Sequence, residues 1–485
     1  MPNTDEDLIA AARRAMTENG FAPDFDGAAM REAGAAGETL PRADGLRDMR
    51  DMLWSSVDND ESRDLDQIEI AEPLPNGATR LFVGVADVDS RAPRDGAIDR
   101  HAAMNTTSVY AGTIVFPMLP ERLSTDLTSL AQDADRLAIV IEMIVDGDGA
   151  VGDAQVYRAV VRNRAKLAYD GVGDWLEGRA AAPGSIATNK ALAAQIRLQH
   201  EIGQRLKARR HERGALDFET IEARPVIRDG RIVDLRVPRK GPAREMIEDF
   251  MIAANGAMAR FLEARGVASI RRVVKSPERW QRIVSLAEQN GEALPAEADS
   301  VALANFLSRM RAKDPDHFVD LSLSVVKLMG PGEYTVDLPG QPDPPGHFGL
   351  AVQDYTHSTA PNRRFADLVT QRLLKASLAN AAAPYENDAL AEVAAHCTQK
   401  ENDARKVERR VRKTAAALML SDRIGSVFDG IVTGANASGT FVRLLAPPAE
   451  GRVVRGEQGM DVGDRVRVRL LATDPVKGFI DFARG

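Results

Sequence analysis

Two strand-like runs that follow a dense group of acidic residues constrain the fold of this 485-residue chain most strongly. The stretch SSVDNDESRDLDQIE, residues 55–69, holds six carboxylates and one arginine. Next come the runs IEIAE and LFVGVADV, separated by the turn sequence Pro75-Asn76-Gly77, a pattern typical of two paired strands. We therefore expect the acidic group at the entrance to a β-sheet.

The spacing of the acids predicts a loop that leads into a strand. Asp58, Asp64 and Asp66 are six and two residues apart, which is not a helical period. Three carboxylates without matching cations repel one another unless a divalent cation compensates, and oxygen ligands favour Mg²⁺ or Mn²⁺. The alternative is an exposed, solvated acidic loop, and these residues alone leave both readings open.

Length and composition predict a multidomain globular protein, since 485 residues exceed one ordinary core. The N-terminus has no basic region followed by an apolar run, and the longest apolar stretch, from Leu137, is interrupted by Glu142. No export signal or membrane span is indicated. Cys397 is the only cysteine, which excludes internal disulfides and thiolate zinc clusters and suits a reducing cytoplasm.

The net charge of −8 argues against a uniformly basic nucleic-acid coat. It does not exclude a local basic groove, because binding depends on where the cations lie. Cationic clusters begin at Lys207, Val407 and Arg465. A solvated face remains the alternative for each of them.

Residues 1–48 predict a small helical domain, for which a helix-turn-helix is one reading. Thr4 is a candidate N-cap, and Asn19-Gly20 ends the first helix. A second, alanine-rich helix is expected from about residue 26 to residue 38.

The rest of the chain predicts two further domains. Residues 49–422 alternate strands with long helices, which predicts a mixed α/β domain. Residues 423–485 form short alternating runs with Gly and Asn at the corners, which is typical of a small closed β-barrel.

The stretch HSTAPNRRFADLVTQRLL, from His357, predicts a helix that begins at Pro361 and is capped by Ser358 or Thr359. Arg363 and Arg364 then fall in the first turn. Cations are unfavourable there, whereas an anion such as phosphate would be held by the free N–H groups and the guanidinium groups. The alternative is an arginine paired with Asp367.

Several motifs together resemble the ribonuclease II (RNB) family of exoribonucleases. The family signature is similar to GHFGLAVQDYTHSTAPNRRFADLVTQR, and its magnesium-binding strand is similar to DLDQIEIAE followed by LFVGVADVDS. Its tyrosine and proline-leucine-proline region resembles TTSVYAGTIVFPMLPERLSTDLTSL, from Thr106. The final barrel, with GSVFDGIVTGANASGTFVRL, resembles the family's S1-type OB fold. The resemblance runs from about residue 50 to the C-terminus, with the motifs in the family order.

The resemblance implies roles for the acidic stretch. Asp58, Asp64 and Asp66 match the first three active-site aspartates, so they are implied magnesium ligands, with Asp64 and Asp66 also catalytic. Arg363 matches the catalytic arginine of the proline-arginine motif. Gln67 stands where the family has its fourth aspartate.

Glutamine at position 67 should weaken a site for a hard cation. Gln67 is still a candidate metal ligand, because its carbonyl oxygen can coordinate, but it adds no charge. Asp60 and Glu61 are candidates for the missing charge.

The resemblance also implies substrate-binding residues. Tyr110 matches the tyrosine that clamps the 3′-terminal nucleotide, Arg364 neighbours the catalytic arginine, and Glu408 matches a glutamate near the RNA path. Around Val267 the sequence has no aromatic residue for the opposite face of the base.

The implied activity is magnesium-dependent 3′-to-5′ hydrolysis of single-stranded RNA to nucleoside 5′-monophosphates, with little sequence preference, in RNA degradation or processing. Mn²⁺ is the other candidate cofactor, and the cytoplasm is the expected location. Members of this family usually begin with two cold-shock domains, and we expect the helical unit to take their place here. The alternatives are an RNA-binding protein of this fold without catalysis and a transcription regulator that uses its N-terminal helices.

Overall fold

The computed structural model describes residues 5–40, 45–112, 114–219, 224–229, 231–236, 240–342, 344–436 and 439–485. The candidate cap Thr4 lies outside these residues. The chain begins with helices α1 (Asp5–Glu18) and α2 (Gly27–Ala35) and strands β1 (Arg47–Asp48), β2 (Trp54–Asp58), β3 (Gln67–Pro73) and β4 (Thr79–Ala86). The next elements are α3 (Ala97–Asn105), β5 (Val109–Ala111), β6 (Ile114–Phe116), β7 (Asp135–Val145) and β8 (Val151–Ala168).

The middle of the chain is richer in helix. It contains α4 (Tyr169–Leu176), α5 (Gly184–Thr188), α6 (Lys190–Glu212), β9 (Arg224–Arg228), β10 (Arg231–Arg236), α7 (Pro242–Ala264) and β11 (Ser269–Val273). The elements that follow are α8 (Trp280–Gln289), α9 (Ser300–Lys313), α10 (Pro315–Met329), β12 (Glu333–Asp337), α11 (Phe365–Leu378) and α12 (Asn387–Leu420). The last are β13 (Val427–Asn436), β14 (Gly439–Leu444), β15 (Glu450–Arg455), β16 (Arg465–Asp474) and β17 (Phe479–Arg484).

The central sheet has the strand order β1-β8-β2-β3-β4-β7, and the long strand β8 also pairs with β7. The expected hairpin of β3 and β4 is present, with Gln67 opposite Val85. Because strand side chains alternate between faces, Ile68 and Ile70 enter one hydrophobic core. Ala71 enters a second core, which α6 and α7 cover. The sheet is therefore buried on both faces, and the mixed α/β prediction is confirmed.

The two N-terminal helices lie in different hydrophobic cores. In α1, Leu8 and Met16 join a cluster that also contains residues of α12 and of the final barrel. In α2, Ala29 and Ala33 join the cluster on one face of the central sheet. The helices are present as predicted, and each one packs on other parts of the chain. The helix-turn-helix reading and the boundary at residue 48 stay predictions.

The final strands form a closed barrel in the order β13-β14-β15-β17-β16, as predicted. Its interior is apolar, with residues such as Val432, Val453 and Phe482 fully buried. Among the residues that the structure describes, no helix is long and apolar enough to cross a membrane. Cys397 is a buried free thiol.

Candidate functional site

The acidic stretch and the proline-arginine motif meet at one end of the central sheet. Asp66 directly precedes β3 and is only 2% exposed. Its Oδ1 accepts the backbone N–H of Asn362 at 3.0 Å, and its Oδ2 lies 3.3 Å from Nε of Arg363. Two segments almost 300 residues apart in sequence therefore form one charged site.

Burial shifts the pKa of all three aspartates upward. It raises the pKa of Asp66 to about 7, although Arg363 acts in the opposite direction. The pKa of Asp64 is raised by burial and also by the charge of Asp58, whose own pKa is raised by burial. The carboxylates thus stand in a desolvated place where their charges repel, and a bound cation would relieve that repulsion.

The donor chemistry of this site fits a hard divalent cation, because its donors are carboxylate oxygens. Their combined negative charge exceeds the positive charge of the single arginine that contacts Asp66. In the part of the chain that the structure describes, no three acidic, His or Cys side chains already stand as a metal-binding group. The guanidinium of Arg363 is the cation that contacts Asp66 here. The metal-binding roles of Asp58, Asp64, Asp66 and Gln67 stay predictions.

The residues considered for the missing charge differ in burial. Gln67 is the first residue of β3 and is 9% exposed. Asp60 and Glu61 lie exposed in the loop before β3, and the backbone carbonyl of Asp60 accepts a hydrogen bond from Lys166. Neither acid is buried with the aspartates.

The helix after the proline-arginine motif begins at Phe365, so the predicted start at Pro361 is wrong. The backbone N–H of Phe365 donates to the carbonyl of Thr106 at 2.8 Å, and the carboxylate of Asp367 accepts the N–H of Ala360 at 2.8 Å. These two contacts hold residues 361–364 as a turn before the helix.

The predicted Ser-Thr cap is also wrong. The backbone N–H and the hydroxyl of Ser358 both donate to Oδ1 of Asn255 in α7 instead. The residue at the cap position is Arg364, which makes no capping hydrogen bond with its side chain.

The two neighbouring arginines have different partners. Arg364 donates to Oδ1 of the fully buried Asp367 at 2.8 Å, so the ion pair considered as the structural alternative belongs to Arg364. Arg363 contacts Asp66, and 43% of its side chain remains exposed. Arg363 is therefore the arginine that is free to meet a ligand next to the acids.

A cavity of about 220 Å³ opens beside this site and is lined by both arginines, Tyr110 and Glu408. Tyr110 lies in β5, is 42% exposed, and donates its backbone N–H to Oε1 of Glu408 at 3.2 Å. Burial of its hydroxyl end raises the pKa of Tyr110, and the charges of the three aspartates raise it further. The structure thus brings the predicted substrate-binding residues together beside the acids.

Sequence reasoning did not assign two aromatic residues of this cavity. The hydroxyl of Tyr334 in β12 lies 2.8 Å from Nδ1 of His357. Burial lowers the pKa of His357 well below its usual value, and the charges of Arg364 and Arg272 lower it further. Arg272 in β11 lies opposite Tyr334, so β12 brings an aromatic ring to the strand that follows Val267. Only the strand pairing reveals this, since the two segments are distant in sequence.

Two further residues flank Asp58 and were also missed. Arg244 in α7 donates to the side chain of Asn59 at 2.9 Å, and its guanidinium lies 4.4 Å from the ring centre of Tyr169. The charges of Arg244 and Arg363 both counter the raised pKa of Asp58. Nothing in the local sequence of α7 pointed to this contact.

Family models match two parts of the chain. The RNB domain model matches residues 46–380. The model of the RNase II-type exonuclease C-terminal S1 domain matches residues 426–485, which contain the closed barrel.

Curated relatives are similar over almost all of this chain. Ribonuclease R 1 of Lactococcus lactis is 29% identical over 95% of this chain and 59% of its own length. Ribonuclease R of Thermotoga maritima is 30% identical over 95% of this chain and 68% of its own length. Ribonuclease R of Escherichia coli is 30% identical over 90% of this chain and 57% of its own length. The chain thus spans 57–68% of the length of these relatives.

Solved structures share the fold. Mycoplasma genitalium RNase R in complex with ribose-methylated single-stranded RNA has a TM-score of 0.88 at 22% identity, over 99% of this chain and 78% of that one. Yeast Ssd1, described as a pseudonuclease, has a TM-score of 0.73 at 18% identity, over 92% of this chain and 55% of that one. The same fold therefore occurs in a protein solved with bound RNA and in a protein described as a pseudonuclease.

Proposed function

This chain belongs to the RNB family, and on that premise we propose that it degrades RNA as a 3′-to-5′ exoribonuclease. The reaction is hydrolysis of the last phosphodiester bond, with release of a nucleoside 5′-monophosphate. One observation supports it above the others. The buried carboxylate of Asp66 contacts Arg363 at the edge of a cavity that Tyr110 also lines.

The cavity suits the 3′ end of a single strand. The exposed ring of Tyr110 offers a face on which the terminal base stacks, an interaction worth about 1–3 kcal/mol and tolerant of sequence, because every base has a π face. Glu408 holds the backbone of Tyr110 and lines the same cavity with Arg364. Sequence preference should therefore be weak.

The acidic residues and Arg363 have different roles in the proposed reaction. Asp58, Asp64 and Asp66 would hold Mg²⁺ or Mn²⁺, and Gln67 would add a neutral oxygen donor. When bound, such an ion would supply a nucleophilic water and would stabilise charge on the leaving oxygen. Arg363 is half-exposed beside Asp66, so its guanidinium binds the scissile phosphate and offsets the charge that develops on it.

The test is a time course on 5′-labelled single-stranded RNA with Mg²⁺, with Mn²⁺ and with EDTA. We expect a ladder that shortens from the 3′ end with either metal and stops in EDTA. Asp66→Asn should abolish it, whereas Asp60→Asn, at an exposed acid of the same stretch, should not. Shortening in EDTA or by Asp66→Asn at the normal rate would contradict the proposal.

RNA binding without catalysis is the second candidate function. The observation that favours it is Gln67, which removes one negative charge from the predicted metal site. In the same time course this function predicts tight binding and no shortening under either metal. Gln67→Asp would then be expected to create activity, which would show that position 67 decides between the two functions.

A further inference from the structure

Glu69 is a buried acid that the proposed reaction does not yet use. It lies in β3, it is 0% exposed, and neither of its carboxylate oxygens has a hydrogen-bond partner among the described residues. Burial of a polar group without a partner costs free energy, so such groups are rare unless something else requires them. Glu69 therefore needs an explanation other than packing.

The strand geometry places Glu69 beside Gln67. Side chains two residues apart on a strand point to the same face, so Gln67 and Glu69 share the face of β3 that α6 and α7 cover. Ser55 of β2 lies directly opposite Glu69 and is also fully buried with an unpartnered hydroxyl. The chain thus has a neutral residue where the family has an acid, and an acid two residues farther on the same face.

Glu69 also lies close to the predicted metal site. Ser55, which pairs with Glu69, belongs to the five-residue strand β2, and β2 ends at Asp58. In β3, Glu69 lies two residues after Gln67, and Asp66 directly precedes that strand. Asp60 and Glu61, by contrast, are exposed to solvent.

We propose that Glu69 supplies the negative charge of the cation site that Gln67 does not. The inference rests on the proposed function, because it concerns the cation which that reaction uses. A divalent cation held by the three aspartates attracts a carboxylate in this low-dielectric place, which offsets the cost of burying Glu69. The site then carries four acids, as it would with aspartate at position 67.

The competing explanation is that Glu69 is structural. The helix α6 packs against β3, and its Gln199 is buried with both amide atoms unpartnered. A water molecule shared by Glu69 and Gln199 would satisfy both side chains without any cation. In that case, removal of the charge at position 69 changes stability but leaves cation affinity unchanged.

The test is Mn²⁺ binding to the full chain, measured by isothermal titration calorimetry without RNA. We expect Glu69→Gln to weaken Mn²⁺ binding by about tenfold or more, while Glu72→Gln, at a partly exposed acid of the same strand, has no effect. Gln67→Asp combined with Glu69→Gln should restore the affinity, because it moves the charge back to position 67. Equal affinity of Glu69→Gln and the unchanged protein would overturn the inference.

The single variant Gln67→Asp keeps the inference testable if Glu69→Gln fails to fold. If Glu69 already supplies the charge, Gln67→Asp alone should change Mn²⁺ affinity by less than about threefold, and a gain of about tenfold or more would overturn the inference.

Thermal unfolding gives a second readout. In EDTA, Glu69→Gln should have a higher melting temperature than the unchanged protein, and Mn²⁺ should raise its melting temperature less. If the unchanged protein binds no Mn²⁺, both this inference and the metal-dependent reaction fail. If it binds Mn²⁺ and Glu69→Gln binds it equally well, only the inference fails.

Discussion

The two adjacent arginines of the proline-arginine motif should differ in what their loss costs. Arg363→Ala should lower the single-turnover rate by about 10²–10³-fold with little change in stability, because its side chain is half-exposed and, in the proposed reaction, would offset charge on the scissile phosphate. Arg364→Ala should lower the free energy of unfolding by about 3–5 kcal/mol, because it leaves the fully buried Asp367 without its ion pair. Quench-flow kinetics and urea denaturation measure the two effects. A stable Arg364→Ala protein with normal unfolding would contradict the assignment.

Metal binding should depend on pH through Asp66, whose pKa burial raises from 3.8 to about 7. Below that pH the carboxyl is protonated and a metal ion must displace the proton, so Mn²⁺ affinity should rise from pH 6 and level off above pH 7. In the metal-free protein, the stability of the fold should change with pH in the opposite direction to Mn²⁺ affinity. A raised carboxyl pKa stabilises the fold at acidic pH, and that stability is lost as the pH rises toward 7. Calorimetry at several pH values checks both trends, and Asp66→Asn should remove them.

At the residue scale, the sequence identified the groups but not their contacts. The acidic stretch and the two arginines stand out because unbalanced charge is unfavourable without a partner. The contact of Asp66 with Arg363 joins two distant segments, so no local pattern predicts it. The burial of Glu69 was equally invisible, because it depends on α6 and α7, which are distant in sequence and cover that face of β3.

The hairpin of β5 and β6 is the element that presents Tyr110 to the cavity. Tyr110→Leu should weaken binding of single-stranded RNA by about 1–3 kcal/mol, because a leucine has no ring on which a base can stack. Tyr110→Phe keeps the ring and should bind RNA nearly normally. Fluorescence anisotropy with a 5′-labelled oligonucleotide in EDTA measures affinity without hydrolysis and leaves the 3′ end free. Equal losses for both variants would show that the hydroxyl group, not the ring, makes the contact.

At the element scale, strand periodicity and the turn between β3 and β4 were predicted well, whereas helix capping at the proline-arginine motif was not. The strand-like runs before and after Pro75-Asn76-Gly77 gave β3 and β4 correctly. The start of α11 was predicted wrongly, because the backbone N–H of Phe365 is satisfied by Thr106, a partner outside the helix. Local capping rules assume that a helix end is satisfied by its own neighbours.

At the scale of the whole molecule, α12 connects parts that the sequence suggested were separate. It packs against α1, against β5 of the hairpin, and against β16 and β17 of the barrel. Apolar residues of all these elements share one hydrophobic cluster. Changes at the N-terminus should therefore reach the cavity, which a separately folded helical domain would not allow.

Leu8 tests this connection, because it is fully buried in α1 and lies next to Gly112 of the hairpin that carries Tyr110. Leu8→Ala should lower the free energy of unfolding by about 2–5 kcal/mol. At a temperature where the variant remains folded, it should also weaken RNA binding, because the hairpin loses part of its support. Met30→Ala, at an exposed position of α2, should do neither. If Leu8→Ala destabilises the protein but leaves RNA affinity unchanged, α1 contributes to the shared core without positioning Tyr110.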